Sequence, residues 1–198
     1  MPRQSDSLLT RSRIVQAARA LFLERTFLGV SMNDIAQAVG MTKGAVYHHF
    51  ASKMDLLRAV ITSLAEDQER DLTLSSAEPD AAHRLQRMVE TYLSRGLGEE
   101  RLIAMLGSPL HDGGAELRSL VEASRVRLTE IVAPALAELP TSGPRPSAED
   151  CREAASLLIA MLDGLILSHH FLGEAVDPKA VAARVPILFQ GSSAGVCG

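Results

Sequence analysis

Apolar residues recur along most of this chain at three- and four-residue steps, the period of an amphipathic helix. No stretch alternates with period two for long enough to predict a strand. Ile14, Ala17, Ala18, Leu21 and Phe22 predict a first helix over about residues 8–25. Ser31 and Asp34 have the spacing of a capping box, with Asp in place of the usual Glu or Gln. They open a short second helix that ends at Gly40. Thr42 can cap a third short helix to about Phe50, and Ser52 with Asp55 opens a long one reaching Thr73. Further helical patterns cover about 81–95, 99–106, 115–138, 147–172 and 178–190. Breaks are predicted at 75–80, at Gly96-x-Gly98, between Ser108-Pro109 and Gly113-Gly114, and over Leu139–Ser147, which carries three prolines. Residues 191–198 read as a disordered tail. The fold class is therefore all-α.

The helix predicted over 147–172 carries Ala154, Ala155, Leu157, Leu158, Ile159, Ala160, Met161, Leu162, Leu165, Ile166 and Leu167, which leave almost no polar face. Such a helix must be buried on more than one side. In so small a bundle a second subunit covers the extra side most easily, with the helix at 178–190 pairing alongside it in a homodimer. A wholly internal core helix is the alternative.

Composition agrees with packed helices. Hydrophobic residues make up 46% of the 198 residues, while Trp is absent and aromatics reach only 4%, so the core rests on Leu, Ala, Val, Ile and Met. The net charge of −4 conceals a split: residues 1–60 hold eight Arg or Lys against four acids, and the remainder is acidic. A basic module on an acidic body suits docking of one end on phosphates. Cys151 and Cys197 make neither a metal spacing nor a disulfide framework. The polar start leads into no signal core, and the apolar run Ala154–Leu167 is too short to span a bilayer. A soluble, cytoplasmic chain with no membrane partner is expected.

The sharpest signal lies between Ser31 and Lys53, SMNDIAQAVGMTKGAVYHHFASK. Ile35 and Val39 stand one turn apart, Ala36 lets another helix approach, Gly40 makes a turn, and Val46 and Phe50 anchor the next helix. Two short helices locked by a few apolar contacts, with the start of the second left free, form a helix-turn-helix. With TRSRIVQAARALF before it and MDLLRAV after it, the stretch from about 10 to 60 resembles the TetR family of regulators. That resemblance implies an N-terminal three-helix DNA-binding domain, 8–54, and a C-terminal helical domain, 55–190, that binds a ligand and dimerises. The function it implies is a homodimeric repressor released from a palindromic operator by a small-molecule effector, with no cofactor and no enzymatic activity.

The residues suit that task. Thr42 offers a hydroxyl and a helix terminus to phosphate. Lys43 can donate to guanine O6 and N7, Gly44 permits close backbone approach, and the Ala45 methyl can touch thymine. Tyr47, His48 and His49 lie farther along, and the resemblance implies phosphate contacts for Tyr47 and His49. Lys53 would clamp the same strand, and Ser31 and Asn33 can reach a phosphate or a base edge. His48 and His49, adjacent on a helix, face different ways and do not make a metal pair. Thr26 departs from the family, where glycine commonly ends the first helix. Because a β-branched residue resists positive φ, the turn at Thr26 is expected to be built differently.

In the second domain the resemblance implies an effector inside the helical body. Candidate lining residues combine a polar tip or adaptable bulk with an apolar helix: Met88, Tyr92, Met105, His111, Arg125, Met161, Asp163, His169 and Phe171. Asp163 stands out, because a carboxylate in an apolar helix needs a partner: an Arg of either subunit, a helix N-terminus or a ligand. The modest polar content points to a mainly apolar effector. Two rival functions remain at this level. A ligand-independent DNA-binding protein would have a fully packed body. An enzyme built on His111, Asp112 and Cys151 would need a nucleophile elbow, phosphate loop or metal motif, and none is present in the sequence.

Overall fold

The computed structural model describes residues 2–105, 114–141 and 143–190. Among them run eight helices and no strand: α1 (Pro2–Arg25), α2 (Met32–Val39), α3 (Lys43–His49), α4 (Lys53–Ser75), α5 (Ala81–Met105), α6 (Gly114–Ala137), α7 (Ala148–Leu172) and α8 (Pro178–Gln190). The predicted break at Ser108-Pro109, His111, the tail at 191–198 and Cys197 lie outside the described residues.

Two compact units divide the chain, Met1–Glu66 with Arg101–Arg118 and Asp67–Glu100 with Ser119–Gly198. In the first, α2 packs on α1 and α3 on α2. Ile14, Ala18, Phe22, Ile35 and Val46 are fully enclosed there, the four larger side chains each stabilising by roughly 1.5–3 kcal/mol on burial. The capping box is complete: the Asp34 N–H donates to Ser31 Oγ at 3.2 Å and the Ser31 N–H to Asp34 Oδ2 at 2.7 Å. Gly40 ends α2 at φ 69°, a left-handed turn that costs glycine little. The Arg13 guanidinium donates to the last carbonyl of α2, at Val39, over 3.3 Å.

Three expectations are corrected. The first helix begins at Pro2 rather than near residue 8, with proline at its first position, where the missing N–H costs nothing. The break at Gly96-x-Gly98 does not exist, because α5 runs unbroken through both glycines. A Cβ on Gly96 would lie 2.2 Å from Cδ1 of Ile166 on α7. Gly96 is therefore where two helices touch, not a hinge. The turn at Thr26 is not built differently either: Thr26 itself adopts φ 67°. Its N–H donates to the Phe22 carbonyl at 3.0 Å, and Phe27 packs edge-on against Phe22 with ring centroids 5.4 Å apart. Those contacts hold a conformation that threonine resists.

In the second unit, Leu85, Met88, Leu93, Leu158, Ile159 and Ile166 form the centre of the core. Arg95 ties α5 to the last turns of α4 through Asp71, and also reaches Glu99 at 3.4 Å and Asp67 at 3.8 Å. Helix α7 buries Ala155, Leu158, Ile159, Leu162 and Ile166. Its other face is open: Leu157 and Leu172 are each 70% exposed, Phe171 67% and Met161 40%. On α8, Ile187 and Leu188 are exposed as well. The sequence treated the apolar run as too short for a bilayer. The full α7, at 25 residues, is long and apolar enough by length and composition alone. Its ends and middle nevertheless carry Asp150, Arg152, Glu153 and Asp163.

Candidate nucleic-acid interface

Helix α3 is short, and its orientation is set from both ends. Thr42 Oγ1 accepts the Ala45 N–H at 3.2 Å, and the Phe50 N–H closes the last turn on the Val46 carbonyl at 3.0 Å. Val46 and Phe50 are buried, so the opposite surface must face outward. Thr42, Lys43, Gly44 and His48 are exposed, Tyr47 is 43% exposed, and Ala45 and His49 are half-buried. A Cβ on Gly44 would meet no atom within 4 Å. Nothing inside the fold asks for glycine there, although glycine in a helix costs about 1 kcal/mol relative to alanine. The missing side chain leaves room on the outside.

Lys43 and Tyr47 share a recess with Ser31, Asn33 and Lys53, bounded by the turn Leu28–Val30. Half of the ten predicted DNA-contacting residues thus meet around one concavity, and Lys43 Nζ sits 5.8 Å from the Tyr47 ring centroid. Two of them are already engaged. The Ser31 hydroxyl donates to Asp34 Oδ2 at 2.5 Å, and Asp34 is held below its ordinary carboxylate range first by that hydroxyl and then by the Ser31 N–H. The Lys53 ammonium donates to the Val30 carbonyl at 2.7 Å and lies 4.3 Å from the Phe27 ring centroid. Burial there pulls its pKa below the usual lysine range. Lys53 thus ties the start of α4 to the α1–α2 turn, with two ammonium protons left over. His49 lines a separate recess on the other flank of α3, together with Arg11, Phe50 and Arg58. The sequence reading missed Arg11. Its signal, one of five arginines on the first helix, means nothing until the fold brings it to Phe50.

The second unit gathers three of the predicted effector residues. The Tyr92 hydroxyl donates to Asp163 Oδ1 at 2.6 Å, and Arg125 pairs with Asp163 Oδ2. Asp163 thereby finds its partner in an arginine of its own chain. Burial, reinforced by the Asp163 charge, pushes the Tyr92 phenol well above its ordinary pKa. Met88 is fully buried nearby in sequence on the same helix. His169 shares a hydrogen bond with the Glu174 carbonyl, 2.7 Å from its Nδ1, beyond the end of α7. Met161 and Phe171, expected inside a chamber, stand on the open face of α7 instead, because α7 turns its other side to the core. The Met105 side chain and all of His111 lie outside the described residues.

A solvent-facing recognition helix, locked by a capped partner helix in a chain whose remainder is also helical, defines a helix-turn-helix DNA-binding protein. Residues 14–60 match the bacterial regulatory proteins of the TetR family, and residues 81–186 match the C-terminal domain of BetI-type transcriptional repressors. The chain belongs to the TetR family and is a transcriptional regulator. Regulators of this family are typically ligand-responsive repressors that bind operator DNA as dimers. The HTH-type transcriptional regulator TtgR of Pseudomonas putida is 28% identical over 175 residues, 85% of this chain and 83% of TtgR. The HTH-type transcriptional repressor BepR of Brucella suis is 26% identical over 178 residues, 82% of this chain and 81% of BepR. The fold is shared with the transcriptional regulator FadR of Bacillus subtilis, solved in complex with stearoyl-CoA. That likeness has a TM-score of 0.71 at 20% identity and covers 91% of this chain and 97% of FadR.

Proposed function

We propose that this regulator is a cytoplasmic homodimer whose residues 8–54 read a palindromic operator, and whose body, 55–190, dimerises and releases the operator when a mainly apolar effector binds. The observation that carries the DNA half is the first turn of α3, which turns Thr42, Lys43 and Gly44 outward with no internal reason for the glycine. In this reading Lys43 is the base-reading residue. Gly44 and Ala45 let the helix settle into the major groove, and Thr42, Tyr47 and His49 meet phosphates. Asn33 on α2 and His48 on α3 are exposed and take outer contacts. Ser31 acts mainly by fixing the recess through Asp34, while Lys53, tied to the Val30 carbonyl by one proton, keeps two for a phosphate.

The open faces of α7 and α8 support dimerisation through those two helices. For the effector, Tyr92, Arg125 and Asp163 form a polar group among apolar helices. Any ligand reaching it competes with an existing ion pair, which favours ligands that leave the pair intact and bind by apolar contact.

The test is to sequence genomic fragments retained by the purified protein and titrate the recovered inverted repeat. Lys43→Ala is expected to lose about 1–3 kcal/mol of discrimination at one base pair per half-site, with the other positions unchanged. Uniform loss at every sequence would make Lys43 a phosphate contact. For the sensor half, a ligand that stabilises the free protein must bind more weakly to the operator complex, by the same factor that it weakens operator binding. Ligands indifferent to bound DNA would leave a ligand-independent DNA binder as the better account.

A further inference from the structure

A recognition helix lying in the major groove has a phosphate backbone on each of its flanks, and the groove is only about 12 Å wide. The recess built from Ser31, Asn33, Lys43, Tyr47 and Lys53 serves one flank of α3. His49 projects roughly 200° round the helix from Tyr47, because each residue advances the helix by about 100°. It therefore opens on the opposite flank, into a recess also lined by Arg11, Phe50, Asp55, Arg58 and Thr62.

Two arginines line this second recess, and they differ in what they can offer. The Arg58 guanidinium is neutralised by Asp55 at 3.1 Å and Glu116 at 3.0 Å. Arg11 is exposed and has no carboxylate partner among the described residues. Its guanidinium carbon lies 4.7 Å from the centroid of the Phe50 ring, directly after the recognition helix. Stacking on an aromatic face leaves the in-plane N–H groups of a guanidinium pointing outward, ready for a bidentate oxyanion. Phe50 itself is buried, so the platform under Arg11 is fixed by the core.

We propose that Arg11, stacked on Phe50 and flanked by His49, forms a second phosphate-binding site, which takes a DNA phosphodiester on the flank of α3 opposite the Lys43 recess. This rests on the DNA-binding reading above and adds to it a contact from α1, outside the helix-turn-helix. The ligand is the backbone itself, so the contact carries no base preference.

The experiment titrates the full-length protein with mixed-sequence double-stranded DNA over a range of salt. Arg11→Ala and Arg11→Met are both expected to flatten the plot of log affinity against log salt by about one unit per subunit, which is about tenfold in affinity per subunit near 0.1 M salt. Arg11→Met keeps a polarisable stem over the Phe50 ring and separates charge from packing. Arg11→Lys is expected to retain most of the slope. Thermal midpoints should move little, because Arg11 is exposed. An unchanged slope in Arg11→Met, with or without a loss of affinity, overturns the phosphate site and leaves Arg11 as packing on Phe50. If the unaltered protein shows no salt-dependent binding at all, the DNA-binding reading falls and this site with it. Binding that is intact in the unaltered protein and unmoved by the substitutions removes this site alone.

Discussion

Thr26 occupies the left-handed region at φ 67°, where the other described residues of positive φ are the glycines Gly40 and Gly173. For a β-branched residue that conformation costs about 1–2 kcal/mol. Glycine would relieve the cost and give back part of it, since its unfolded chain is freer. Thr26→Gly is therefore expected to stabilise the protein by roughly 0.5–1 kcal/mol in denaturant unfolding, whereas Thr26→Val should not. Equal stability of the glycine and valine variants would show that the turn stores no strain. The sequence marked Thr26 as anomalous but drew the wrong consequence, because propensity names the preferred backbone and not the one that neighbours can impose. Here the contact of Phe27 with Phe22, and Lys53 over the Phe27 ring, impose it. The same blindness hid the engagement of Lys53. Its spacing from the motif was legible, but the carbonyl that holds it stands 23 residues away. By contrast, the pairing of Ser31 with Asp34 was readable, since both partners sit within one turn.

At the scale of elements, the helices whose signals are local were legible. Caps at Ser31 and Thr42 and stops at Gly40 and the 139–147 loop all act within a few residues, and the structure places α2, α3 and α7 where they predict. The glycines of α5 misled because their reason is not local. Gly96 exists so that Ile166 of α7 can lie against the α5 backbone. Gly96→Ala gains up to about 1 kcal/mol of helix propensity but overpacks this contact, at a cost of about 1–3 kcal/mol. A net loss near 1 kcal/mol is expected, and trimming the partner should reverse its sign. In the Ile166→Val background, which lacks the clashing Cδ1, Gly96→Ala should be neutral or stabilising. A double-mutant cycle measured by urea unfolding reads that coupling. Additive effects would mean that α5 and α7 do not touch at Gly96.

At the scale of the whole molecule, the apolar content of α7 called for burial on more than one side, by a second subunit or an internal core, and the structure leaves Leu157, Met161 and Phe171 exposed along it. In the proposed dimer these side chains meet a second copy. Met161→Glu would place an unpaired carboxylate there, at a cost of about 3–5 kcal/mol to association. Because Met161 is 40% exposed in the protomer, helix content should be preserved while the variant elutes as a monomer. Its affinity for an inverted repeat should fall with it, because half-sites are read in pairs. A variant that stays dimeric would move the interface elsewhere. The open face of α7 also sets a clock for biosynthesis. Phe50, the residue that completes α3, leaves the ribosome well before Leu157; at roughly 5–20 residues per second the interval is about 5–20 seconds. During translation the DNA-reading helices are therefore finished while the sticky face is still unmade. Once that face emerges, capture by a like chain competes with aggregation. Neighbouring ribosomes on one message supply like chains at high local density. If the proposed dimer forms through this face, pairing between such neighbouring nascent chains is favoured over pairing in the dilute cell interior.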